Sequence, residues 1–282
     1  MNFKQIINSI FTYQPTKNYD FTISTNVNNT EANNNKELKI FPDLSSNMNY
    51  IKTAYNTLIN SDIVIRHFTL NARNKQYAAF LLYVDGLIDT NLMNDFVLKP
   101  LMLRNTSNTF DKSQNVVATN KKTHKKVYKR VKQFDIVKYL IDSLMPENSV
   151  KLVDDFSKVY DGVNSGNCIL FIDTLSKAFD IEVKGFKQRS INPPTNELVI
   201  KGSQEAFVEN IRTNTSIVRR IINNENLIIE NIEVGKITKT KCGICYMKNI
   251  TNNDLIAEVK YRINNLGIDA ITSSRRIRTT NF

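Results

Sequence analysis

The sequence predicts a mixed α/β fold of the α+β kind, a two-lobed soluble domain with small mixed sheets flanked by helices. Two observations carry that expectation. Short strand-like segments occur as neighbouring pairs: 62–70, alternating and β-branched, with the almost wholly apolar 76–84; the apolar 167–173 with the alternating 178–184; and 226–234 with 240–247. Segments of helical period separate the pairs, the arrangement of an α+β or mixed α/β chain. With 282 residues, 41% of them hydrophobic, the chain is long enough for one large domain or two ordinary ones.

Residues 1–42 are polar and rich in Asn, with no sustained period, and are expected to form a disordered leader. Pro42, Asp43 and Ser45 signal a helix start, and Met48, Ile51, Ala54, Tyr55 and Leu58 place a helix over 47–59. After the first hairpin, Gly86 permits a sharp exit. Asp89 or Thr90 can cap a helix over 91–98, which Pro100 should close. Helices are expected at 133–144 and 153–163, and again at 254–264, with Leu255, Val259, Ile263 and Leu266 inward and Gly267 as its stop. A short strand should follow at 268–271. The pattern of strand, Asp and turn occurs twice, at 81–86 and 170–174. On this basis residues 43–150 are one lobe, containing a basic loop at 104–132, and 151–282 are the second.

The stretch 188–222 reads as the junction of the two. Pro193 and Pro194 force an extended entry to a strand at 198–200. Ser203 is placed to cap a helix beginning at Gln204, with Phe207, Ile211, Val218, Ile221 and Ile222 on the inward face. Glu205, Glu209, Arg212, Ser216, Arg219 and Arg220 fall on the outward face. Asn214 interrupts the apolar stripe, so its amide either holds a backbone loop or meets a ligand or partner. Asn214→Leu is expected to abolish folding or signalling, and Arg212→Ala to do little.

The net charge of +11 is unevenly placed. Residues 104–132 hold nine Lys or Arg against Asp111, and Arg275, Arg276 and Arg278 supply the rest of the excess. Such a run suits phosphate backbones or an anionic membrane face, and its polar composition predicts disorder. Three cysteines make no disulfide framework. Cys242 and Cys245 spell CxxC within a strand, where residues three apart point to opposite faces, and His67 and His124 are remote. Cys168 reads as a buried strand residue. No metal site or cofactor is expected. No run reaches the roughly 18–20 apolar residues of a membrane helix, and no P-loop, dinucleotide turn, HExxH or nucleophile elbow occurs.

Linked motifs extend this picture. Asp62-Ile-Val-Ile-Arg66, Tyr83-Val-Asp-Gly-Leu-Ile-Asp89 and Leu98-Lys-Pro-Leu101 come first. Gly185-Phe-Lys-Gln-Arg189, Pro194-Thr-Asn-Glu197 and Glu205-Ala-Phe-Val-Glu209 follow, then Thr213-Asn-Thr-Ser, Arg219-Arg220, Ile244-Cys-Tyr246 and Ile268-Asp-Ala-Ile271. In this order they resemble the A subunit of spore germinant receptors, the GerA family, over residues 62–271. The chain departs from the family at Lys201-Gly202-Ser203 (usually Arg-Gly-Pro), at Ile221 (usually a third Arg) and at Thr174 (usually Gly).

The resemblance implies a bilobed domain on the cytoplasmic face of the spore inner membrane, followed in the family by a polytopic membrane domain. The second lobe is therefore expected to be truncated. Implied partners are B and C subunits, further A subunits, the anionic inner-membrane surface and a small nutrient germinant, without specific nucleic acid. The expected function is signal transduction and subunit assembly without catalysis. Asp85, Asp89, Arg189, Glu197, Glu205, Glu209, Asn214, Arg219 and Arg220 are the expected ligand or subunit-interface residues. A basic nucleic-acid-binding module using 104–132 is the alternative. An enzyme using Asp85, Asp173 or Glu197 is disfavoured, because Asp-Gly at a strand end more often simply makes a turn.

Overall fold

A computed structural model of the chain describes residues 38–72, 75–103, 118–119, 126–127, 135–144, 149–185 and 206–270. Residues 1–37 of the expected leader, the strand at 198–200 and the Ser203 cap lie outside them, whereas residues 38–42 join the fold: Ile40 is buried and its N–H donates to the Asp154 carbonyl at 3.0 Å. Helix α1 (Leu44–Tyr55) opens where the Asp43 carboxylate accepts the backbone N–H of Ser46 at 2.7 Å, and it closes at Asn56 in the left-handed region (φ 50°). It therefore starts and stops earlier than the expected 47–59.

Strands β1 (Ile63–Ala72) and β2 (Lys75–Val84) form the expected hairpin, in register from Ile63↔Val84 to Ala72↔Lys75. The following helix begins with α2 (Thr90–Leu92), widens into a π-helical turn (Met93–Leu98) and ends as α3 (Lys99–Met102). Pro100 does not stop it. The Lys99 N–H reaches back to the Asn94 carbonyl, and the wider turn accommodates a ring that would otherwise strike the preceding turn. Within the basic segment, β3 (Ala118–Thr119) and β4 (Lys126–Val127) pair antiparallel where disorder was expected. Helix α4 (Ile136–Tyr139), capped by Asp135, runs on as a π-helical turn over Leu140–Leu144.

Residues 150–153, expected at the lobe boundary and the start of a helix, instead form strand β5 (Val150–Val153). Asp155 then caps α5 (Phe156–Asn164) by accepting the Lys158 N–H. Strands β6 (Cys168–Ile172) and β7 (Ala178–Ile181) complete a five-stranded sheet of order β1-β2-β6-β7-β5. Two corrections follow. Every described pairing is antiparallel, so the sheets are not mixed. The boundary at 150/151 cuts through this sheet, which takes two strands from 63–84 and three from 150–181.

β2 and β6 occupy the middle of the sheet, and all of β6 is buried, which explains their nearly unbroken apolar sequence. One face packs Leu81, Met93, Val97, Leu101, Leu170 and Phe179; the other packs Ile51, Tyr55, Phe80, Phe156, Val159 and Phe171 against α1 and α5. Phe80 and Phe171 are register partners with stacked rings 4.7 Å apart. Full burial of such side chains contributes about 1.5–3 kcal/mol each.

A smaller unit follows. Helix α6 (Ile211–Ile221) begins at Asn210, whose side chain accepts the N–H groups of Arg212 and Thr213; residues 206–210 are not helical. Its expected faces are only partly kept, with Ile211 and Val218 half-buried and Glu209 exposed. Thr215, Ser216, Ile217 and Arg219 are buried, whereas Phe207 and Ile221 are 66% and 74% exposed. Strands β8 (Leu227–Val234) and β9 (Thr240–Met247) form a second hairpin. Helix α7 (Asn253–Asn264) starts at Asn252, but none of its side chains is fully buried and Leu255 remains exposed. Residues 268–270 are not a strand; the carbonyls of Ile268 and Asp269 accept the N–H groups of Lys236, Ile237 and Thr238. No helix among the described residues is long and apolar enough to cross a membrane.

Candidate functional site

The open end of the β1–β2 hairpin carries a carboxylate on each strand, Asp62 and Asp85, joined by the Asp85 N–H to the Asp62 carbonyl at 2.8 Å. Helix α6 presents Arg212 and Arg219, two turns apart, to those two carboxylates. The pairs differ in setting. Arg212 meets Asp85 at 3.1 Å with both side chains more than a third exposed or close to it, while Arg219 meets Asp62 at 2.9 Å with both buried.

The Arg212–Asp85 pair lines a cleft of about 360 Å³ between the loop after β2 and the start of α6. Gly86 (φ 96°) turns the chain there, and the Arg212 stem crosses it so closely that a Cβ would sit 3.2 Å from two of its carbons. Asp89 turns its carboxylate onto the N–H groups of Asn91 and Leu92. The backbone of 87–89 is bonded to 183–185, through Asp89 N–H to the Val183 carbonyl and Gly185 N–H to the Leu87 carbonyl. Gly185 fits only because it has no side chain, since a Cβ would fall 2.8 Å from the Asp89 Cα and N. Thr90, Asn91, Asn210, Thr213 and Ser216 complete a polar wall.

Beyond the cleft, the Arg219 guanidinium is saturated. Its Nε and Nη2 donate to the two Asp62 oxygens, Nη1 to the carbonyls of Asn224 and Leu227, and Nη2 to Asn60 Oδ1. Asn60 also accepts the Ile229 N–H and donates to the carbonyls of Tyr55 and Leu227. The node thus ties the end of α1, the start of β1, α6 and β8 together. Burial pushes the Asp62 carboxyl up, against the opposing pull of Arg219. Burial likewise raises the Cys245 thiol nearby.

Of the residues expected at a site, Asp85 and Asp89 meet at the cleft. Arg189, Glu197 and Glu205 lie outside the described residues. Glu209 is exposed just before α6, and Arg212, expected on the outward face, is paired with Asp85. Asn214 spends its amide on Val208, accepting its N–H and donating to its carbonyl at 2.7 Å each, which is a grip on a loop. Arg219, expected on the outward face, is fully buried, and Arg220 is half-buried beside it. Sequence reasoning missed Arg212, Asn60 and Asp62 as site-forming residues. The signal for Asp62 was its position at the head of the first linked motif.

Among the described residues no group of three or more His, Cys, Asp or Glu side chains is placed to hold a metal ion. The cleft offers a paired cation and anion, hydroxyls and amides, a surface suited to a small polar or zwitterionic solute.

Comparison with known proteins agrees with the fold. Spore germination protein KA of Bacillus subtilis (strain 168) is 27% identical over 236 residues, covering 83% of this chain and 38% of that protein. The protein named uncharacterized membrane protein YfkQ, from the same organism, is 28% identical over 247 residues, covering 86% of this chain and 42% of its own length. The chain thus spans about two-fifths of these relatives. The crystal structure of the N-terminal domain of the A subunit of the Bacillus megaterium spore germinant receptor GerK3 superposes with a TM-score of 0.55 at 25% identity, covering 82% of this chain and 74% of that one. Residues 49–280 match the family described as Bacillus/Clostridium GerA spore germination protein, and the chain belongs to that family.

Proposed function

We propose that this chain acts as the N-terminal domain of a germinant receptor A subunit, a non-catalytic signalling and assembly domain at the cytoplasmic face of the spore inner membrane. The observation that carries this is the shared fold with the GerK3 A-subunit N-terminal domain over 82% of the chain. B and C subunits, further A subunits and the anionic membrane surface are its proposed partners. In this role the cleft receives a small polar nutrient. Arg212 engages an anionic group and Asp85 a cationic one, so a ligand carrying both replaces the existing ion pair without leaving either charge alone. The residues of the cleft favour binding over chemistry: one carboxylate is committed to Arg212 and the other to a helix cap.

Two experiments test this. Spores lacking the gene should lose their response to one class of nutrient while still germinating with a non-nutrient trigger; an unchanged response to every nutrient refutes the receptor role. Thermal-shift screening of the purified chain with amino acids, sugars and nucleosides should find a ligand whose stabilisation is lost in Arg212→Ala. No stabilisation at millimolar ligand counts against the cleft.

A further inference from the structure

The β8–β9 hairpin has two edges, and they are treated differently. The first half of β8 is covered on its outer side. Ile229 O accepts the Ser61 N–H at 2.9 Å and its Oγ at 2.8 Å, the Ile229 N–H donates to Asn60 at 3.0 Å, and Leu227 O accepts from Asn60 at 3.1 Å. These contacts fix the parity of the ladder. Residues 227 and 229 direct their polar groups away from β9, so 228, 230, 232 and 234 face it. By register, Tyr246, Ile244, Cys242 and Thr240 face β8. The alternate residues Lys241, Gly243 and Cys245 consequently turn N–H and C=O outward, where no described group bonds them. In the larger sheet the corresponding strand, β2, is covered by β6.

Water can meet such groups one at a time, but another extended strand complements the whole row at once. We propose that β9 pairs antiparallel with β9 of a second copy, joining two hairpins into a four-stranded sheet about a two-fold axis at Ile244. The strand is self-complementary in this register. Gly243 lies opposite Cys245 of the second copy and Lys241 opposite Met247, so no like charges oppose one another. On its face Gly243 packs in ordinary contact with α6, Ile211 and Thr215 lying 3.8 Å from where a Cβ would stand, which leaves its backbone edge as the outward group. Ile237 and Ile250, 76% and 68% exposed, flank the strand at seven and six residues from Ile244 in sequence. The two-fold brings Ile237 of one copy toward Ile250 of the other at both ends, so four exposed isoleucines cover each other.

The test is sedimentation velocity of the 282-residue chain across a wide concentration range, combined with amide exchange by NMR. A reversible dimer is expected. The amides of Gly243 and Cys245 should gain protection with concentration, while that of Ile244, facing β8, is protected throughout. Gly243→Pro removes an outward N–H and should weaken the dimer about tenfold or more, with β1 and β2 amides unchanged. A chain that stays monomeric, or a dimer in which the Gly243 and Cys245 amides exchange freely, overturns the proposal. That exchange measurement decides the matter on the wild-type chain even where the proline variant folds poorly.

Discussion

Arg219→Met isolates the buried node. The substitution keeps an unbranched, shorter apolar stem and removes all five donated hydrogen bonds, two of them to Asp62. Leu227 O and Asn60 Oδ1 keep other partners, so the main consequence is a carboxylate buried without its counter-ion. Removing one member of a buried pair costs about 3–5 kcal/mol, a large share of an ordinary domain's stability. Urea unfolding followed by far-UV circular dichroism reads this directly. The pH dependence adds a signature. With Asp62 already raised by burial and the opposing Arg219 gone, its folded-state pKa rises further above the unfolded value. The folded variant then binds a proton more readily than the unfolded chain, so its deficit against wild type should shrink as pH falls from neutral toward 4. In Asp62→Asn the orphaned group is Arg219, which gains no such relief. A loss under about 1 kcal/mol, or a deficit independent of pH, would refute the claim that the pair is desolvated and essential.

Gly185→Ala should displace the loop at 87–89, because the new methyl meets backbone and not a flexible side-chain tip; a loss of about 2 kcal/mol or more in urea unfolding is expected. Asn214→Leu abandons both Val208 groups, which should cost about 2–3 kcal/mol and raise protease cleavage near 206–210 ahead of global unfolding. Arg212→Ala should change unfolding by less than about 1 kcal/mol because its ion pair is partly solvated. Asp89→Ala should lose a helix cap worth about 1 kcal/mol, measured by thermal melting, with little loss in Asp89→Asn, which still caps.

The hairpins and helix caps were legible because their causes are local. Asp43 and Asp89 cap the helices beside them, and the hairpin over 63–84 pairs in register along its full length. What failed depends on partners distant in sequence. Ser216 and Arg219 look outward on any helical wheel, since the wheel scores residue type; what draws Arg219 inside is Asp62, 157 residues away. β5 escaped notice because it is short and runs into the helical spacing of Val153, Phe156, Val159 and Val163. The same strand undid the boundary at 150, as only the β5–β7 register reveals which sheet owns it. At the cleft, Asp85 and Asp89 were visible as strand-end carboxylates, but Arg212 could not be matched to Asp85 without the turn at Gly86 that lays one against the other.

The strand order of the larger sheet sets a schedule for folding. β1 and β2 meet through a short turn and can pair within microseconds, as isolated hairpins do. β6 must then find β2, with Leu81 set against Leu170, after closing a loop of about 90 residues. That closure is the entropic bottleneck, yet its cost grows only logarithmically, by about 0.6 kcal/mol for each doubling of the loop. The lysine-rich run between α3 and α4 lies inside this loop. Its length is therefore nearly free to vary without endangering the fold, and residues can be gained or lost there while the stacked Phe80 and Phe171 keep their register.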